Sequence, residues 1–155
     1  VYDPYVEKEK VKISGAIPVD NISENLPNMD AVTLHCPKND ETTDLFTKQE
    51  FDLMKKSSFI INCARGGILN EEDLYEALTN KKIAGAGLDV FDVEPTPSSN
   101  PLFKLNNVIL SPHIAGVTVE STVRMATETV QNVLDVLDDK VNQSVVINNK
   151  EIGMK

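Results

Sequence analysis

Short apolar runs alternate with helix-period stretches along this chain. Ala31-Val32-Thr33-Leu34-His35-Cys36 reads as a buried strand stopped by Pro37, and Phe59-Ile60-Ile61-Asn62-Cys63 as the next. The glycine-rich run from Ile83 to Phe91 and the run Asn107-Val108-Ile109-Leu110 read as two more. Val1-Tyr2 resembles the end of a strand, and residues 16–19 form another short apolar run. Between them, Thr47-Lys48-Gln49-Glu50 is a capping box that opens a helix reaching about Met54. Asn70 caps a second helix with Leu74, Ala77 and Leu78 on one face. From Thr118 to about Asp138 the pattern predicts one long helix. Its stripe of Val123, Ala126, Val130, Val133 and Leu137 reads as core or interface packing. Val145-Val146-Ile147 predicts a last short strand.

Strands alternating with helices imply crossover units and a mainly parallel sheet. Such sheets are covered on both faces, which accounts for strands without polar alternation. Ligands then bind beyond the carboxyl ends of the strands. Asp3, His35, residues 63–65, Asp89 and His113 all fall at or just past predicted strand ends.

Bulk composition narrows the partners. The 155 residues suffice for a domain with a core, and 41% hydrophobic with 25% charged content is that of an ordinary globular protein. A net charge of −9 and the absence of tryptophan argue against nucleic acid and against anionic membranes. No apolar run approaches the ~18 residues of a membrane span, and Val1-Tyr2-Asp3-Pro4 does not read as a signal peptide, so the cytoplasm is the expected compartment. Cys36 and Cys63 close apolar runs and read as buried free thiols. Neither lies in a CxxC pair, and with two histidines in the chain no metal site is expected; His35 is assigned no catalytic role.

Three separated residues fit one reaction. Arg65, between a strand and two glycines that would let a ligand approach the backbone, can clamp a carboxylate with paired hydrogen bonds. His113 can pass a proton near neutral pH, and a carboxylate such as Glu94 beside it would hold the imidazole charged. Together they would bind a 2-oxo acid and protonate its carbonyl while hydride arrives from elsewhere.

At Leu34-His35-Cys36-Pro37, Asn62-Cys63-Ala64-Arg65-Gly66, Gly87-Leu88-Asp89-Val90-Phe91, Glu94-Pro95 and Ser111-Pro112-His113-Ile114-Ala115-Gly116 the chain resembles the D-isomer-specific 2-hydroxyacid dehydrogenases. The resemblance runs over essentially the whole chain. It implies an α/β fold, a Rossmann-type doubly wound parallel sheet truncated at its N-terminal side. Residues 1–117 would form part of an NAD-binding domain, and 118–155 would return to a substrate domain. By the same resemblance Arg65, Glu94 and His113 are catalytic, with Glu94 rather than the nearby Asp92 as the histidine's partner. Asp3 would accept from the adenosine ribose hydroxyls and favour NAD over NADP. Asp89 would contact the nicotinamide carboxamide. Cys36, Pro37, Cys63, Ala64, Ala115 and Gly116 would line the cofactor beside Arg65 and His113. A small 2-oxo or 2-hydroxy acid is the implied substrate and a homodimer the implied assembly.

The departures count equally. Family members are longer and carry a GxGxxG turn ahead of the strand that ends here at Val1-Tyr2, and none of the seven glycines of this chain falls in such a turn. The chain resembles the C-terminal part of such an enzyme. An NAD-sensing corepressor-like role and a non-catalytic assembly module both stay open.

Overall fold

The computed structural model describes residues 1–148. Its elements are helices α1 (Lys8–Ile13) and α2 (Ile22–Asn25), strand β1 (Ala31–Leu34), helix α3 (Lys48–Leu53), strand β2 (Phe59–Asn62), helix α4 (Glu71–Thr79), strands β3 (Gly85–Leu88) and β4 (Val108–Leu110), and helix α5 (Val119–Leu137). The four strands form one parallel sheet in the order β1-β2-β3-β4. The architecture is the expected α/β, Rossmann-type sheet. Two compact units are present, Val1–Ile114 and a second that begins at Ala115.

Local chemistry sets the helix starts. The Thr47 capping box is formed, and Asn70 accepts from the Asp73 N–H at 3.1 Å. Thr118 caps α5 with a reciprocal Ser121 bond. Two helices lie outside the sequence pattern. In α1, Glu7 makes no side-chain cap; α2 is a single turn whose only signal is Asn21 accepting from the Glu24 N–H.

Register decides which strand residues are buried. Leu34, Asn62, Leu88 and Leu110 lie side by side at the carboxyl ends, and Val32, Ile60, Ala86 and Val108 form a row on the same face. That face carries the core: Leu34, Ile60, Ala86 and Leu88 join Phe51 of α3 and Leu74, Ala77 and Leu78 of α4. The opposite face is open, with Phe59 50% and Ile109 79% exposed. Expected cover on both faces is therefore found on one, because strands added in sequence order by right-handed crossovers place their connecting helices on the same side.

Other differences follow from pairing. Val1-Tyr2 does not join the sheet; the Val1 amino group bonds Ile17 O and Val19 N–H bonds Val1 O, the pattern of a parallel bridge. Beside it an apolar cleft of about 670 Å³, walled by Val1, Ile17, Leu26, Val32 and Leu34, lies along the β1 end of the sheet. Val145-Val146-Ile147 is not a strand: Gln143–Val145 is a 3-10 turn capped by Asn142. In the second unit, Val123, Val130, Val133 and Leu137 of the α5 stripe are exposed. No helix among the described residues is long and apolar enough to cross a membrane.

Gly66 shows how tightly the loops beyond the strands fit. A Cβ there would lie 1.8 Å from the Phe91 carbonyl oxygen. Gly66→Ala should therefore lower the unfolding free energy by about 3 kcal/mol or more in urea titrations. Gly116→Ala, with nothing within 4 Å, should stay within about 0.5 kcal/mol. Equal effects of the two would remove the steric account.

Candidate active site

The row Leu34, Asn62, Leu88 and Leu110 ends the sheet, and the candidate residues follow it directly. Cys36 and Pro37 leave β1, residues 63–65 leave β2, Asp89 leaves β3, and residues 111–113 leave β4. A parallel sheet with aligned ends brings all of them to one edge.

Two buried polar side chains shape these loops. Asn62 is 1% exposed; its amide donates to Arg65 O at 2.9 Å, and its Oδ1 accepts from the Ala64 N–H at 3.0 Å. Asn62 thereby folds the Arg65 turn back on its own strand. Its main-chain oxygen takes the Asp89 N–H at 3.0 Å. Asp89, 3% exposed, accepts at Oδ1 from the Ser111 hydroxyl (2.6 Å) and the Ile114 N–H (2.9 Å). Asn62 and Ser111 are absent from the residues singled out by sequence. Their signal was their place inside the segments that carry the family resemblance.

His113 and Glu94 meet as expected. His113 Nδ1 lies 2.8 Å from Glu94 Oε2, and Glu94 Oε1 accepts from the Phe91 N–H at 2.9 Å. The hydrogen bond from His113, and then that from the Phe91 N–H, hold the Glu94 carboxyl below the usual range. An ionised Glu94 means that Nδ1 carries the proton of this bond and Nε2 is the nitrogen left to face a ligand. Asp92 plays no such part. It is pushed up by burial and by Glu71, and it lies near Gly67 and Lys38. Glu71, at the start of α4, secures the intervening loop by accepting from the Asp92 N–H and the Asn100 amide. His113 has φ of 56°, the left-handed region that side chains other than glycine's rarely adopt.

A cavity of about 670 Å³ adjoins the pair, walled by Phe91, Glu94, Pro95, Phe103, Pro112 and His113. Phe91 and Phe103 meet edge to face there, their centroids 6.0 Å apart. Arg65 is not part of this wall; it is exposed, and its Nη1 donates to Ala64 O at 2.6 Å. Of the glycines after it, Gly66 lies against the Phe91 backbone, and Gly67 has φ of 76°.

The remaining candidates are more dispersed. Asp3 is exposed and accepts from the Tyr5 N–H at 2.9 Å, and Val1-Tyr2 forms no strand of the sheet. Cys63 is exposed and Cys36 half-buried, so neither is the buried thiol expected, because both lie past the last ladder residue. Ala115 and Gly116 belong to the second unit and are exposed. His35 Nε2 pairs with the Thr33 hydroxyl at 2.9 Å. Among the described residues no cluster of His, Cys, Asp or Glu could hold a metal ion.

The Glu94 pair generates a pH prediction. A depressed folded pKa adds stability above the unfolded pKa, and this is lost as pH falls through the folded value. Carboxyl-carbon NMR should find Glu94 titrating below an ordinary glutamate. His113→Asn, which tolerates the left-handed backbone, should move it back up. An unmoved Glu94 would show that His113 does not set its charge.

Comparison with known proteins gives the geometry its context. Residues 1–115 match the family model described as D-isomer specific 2-hydroxyacid dehydrogenase, NAD binding domain. A D-3-phosphoglycerate dehydrogenase of Methanocaldococcus jannaschii is 41% identical over 145 residues, 94% of this chain and 28% of that protein. A glyoxylate reductase of Thermofilum pendens is 42% identical over 127 residues, 82% of this chain and 37% of that protein. The NAD-complexed D-isomer specific 2-hydroxyacid dehydrogenase of Lactobacillus delbrueckii ssp. bulgaricus superposes with a TM-score of 0.81 at 28% identity, covering 94% of this chain and 47% of that one. A D-lactate dehydrogenase from Sporolactobacillus sp gives 0.82 at 32% identity, covering 91% and 46%. The chain spans less than half the length of each of these relatives. With the NAD-binding-domain match over residues 1–115, the sheet order and these relatives in agreement, the chain belongs to the D-isomer specific 2-hydroxyacid dehydrogenase family.

Proposed function

We propose that this chain provides the NAD-binding part of an enzyme that reduces a small 2-oxo acid, or oxidises a D-2-hydroxy acid, by hydride transfer. The observation that carries this reading is the 2.8 Å bond between His113 and Glu94 on the edge where the Arg65 loop also ends. Arg65 swings from Ala64 O to clamp the substrate carboxylate. His113 gives the Nε2 proton to the developing alkoxide oxygen, and Glu94 on Nδ1 stabilises the imidazolium that the reverse reaction forms. Bound NADH supplies the hydride.

The donor set suits NAD at two of its parts. Asp3 presents a carboxylate for ribose hydroxyls, and Cys36, Pro37, Cys63, Ala64, Asp89, Ala115 and Gly116 line the path toward the nicotinamide. The diphosphate has no matching cradle, because no GxGxxG turn occurs in these 155 residues. Residues 118–155 return to a substrate domain, and the enzyme works in the cytoplasm as a homodimer.

Charge-assisted hydrogen bonds to a diphosphate contribute ~1.5–3 kcal/mol each, so lacking two or three weakens binding by orders of magnitude. The 155 residues alone should bind NADH weakly in calorimetry and oxidise it negligibly with glyoxylate, pyruvate or hydroxypyruvate. Fusion to the N-terminal part of the M. jannaschii relative should restore turnover, and His113→Asn in that fusion should cut kcat by roughly 10²-fold or more. Micromolar NADH affinity with steady turnover by the chain alone would overturn the diphosphate argument. NAD-dependent assembly of the fusion without turnover would replace the enzyme reading by the corepressor-like one.

A further inference from the structure

One oxygen of Asp89 holds the His113 loop on both sides. Ser111 Oγ donates to Oδ1 at 2.6 Å ahead of the histidine, and Ile114 N–H donates to the same atom at 2.9 Å behind it. The Ser111 N–H is already used by Leu88 O at 2.9 Å, and Pro112 has no N–H to give. The serine hydroxyl thus ties the loop's leading side to Asp89. Between the two ties His113 stands at φ of 56°. A residue other than glycine stays in that region only where its surroundings fix it. Rotation to the right-handed region would carry the imidazole away from Glu94.

We propose that Ser111 is a positioning residue for His113: its hydroxyl, donated to Asp89, keeps the loop in the left-handed turn that aims Nδ1 at Glu94. Its place in catalysis rests on the reading of His113 as the proton carrier; the positioning itself does not. Asp89 suits the task because it is buried and its Oδ1 spans both flanks of the loop. Threonine would keep the hydroxyl. Cysteine would keep the size with a much weaker donor.

The test follows Glu94 by carboxyl-carbon NMR and the His113 ring nitrogens in the full 155-residue chain. Ser111→Ala and Ser111→Cys should return the Glu94 titration toward that of an ordinary glutamate and remove the hydrogen-bonded signature of Nδ1. Ser111→Thr should keep both. Thr47→Ala, which breaks the α3 capping box without touching the loop, should lower stability and leave both signals in place. Unmoved signals in the cysteine and alanine variants would overturn the proposal, as would equal shifts in Thr47→Ala. Turnover does not enter the readout. A Ser111-sensitive Glu94 in an inactive fusion enzyme supports the positioning role and overturns the hydride-transfer reading, while an insensitive Glu94 in an active one does the reverse.

Discussion

Two buried polar side chains, Asn62 and Asp89, tie together the loops that follow β2, β3 and β4. Each sits at the point where a strand gives way to one of these loops. Asn62 closes the Arg65 turn and, through its carbonyl, takes the Asp89 N–H. Asp89 then ties the loop of His113 from both flanks. Arg65 and His113 come from strands that are not neighbours in the sheet, and this sequence of bonds joins their loops across β3. A buried polar group costs roughly 1–3 kcal/mol when left without a partner, so each such bond resists alternative loop conformations. Among the described residues no buried side-chain nitrogen or oxygen lacks a partner.

Apolar packing supplies the platform for this polar row. Leu34, Ile60, Ala86 and Leu88 pack against α3 and α4 from a single face. With the sheet gripped from below, its carboxyl-end row stays level, and loops leaving adjacent strands start at the same height. Gly66 then lets the Arg65 loop meet the Phe91 backbone, which in turn binds Glu94 through its N–H. Close packing, a glycine and one main-chain donor together bring the carboxylate to the histidine.

Among the described residues, three stretches of apolar surface stand out: the open sheet face with Phe59 and Ile109, the cleft beside β1, and the stripe of α5. All three fall where the hydrophobic pattern of the sequence reads as buried. A parallel sheet ordinarily carries cover on both faces.

The sequence by itself determined the four strands, the capped starts of α3, α4 and α5, and the identity of the residues at the strand ends. Those features are local: period, caps and breakers act within a few positions. The preference for Glu94 over Asp92 came instead from the family resemblance at Glu94-Pro95. The tertiary structure decided what depends on long-range pairing. It placed the helices on one sheet face, paired Val1 with residues 17 and 19, and turned Val145-Val146-Ile147 away from strand structure. It also gave Asn62 and Ser111 their roles, because a hydrogen bond that spans 22 residues, as Ser111 to Asp89 does, leaves no periodic trace. Local chemistry writes the elements into the chain; which side chains meet at their ends is fixed only when register brings Leu34, Asn62, Leu88 and Leu110 into one row.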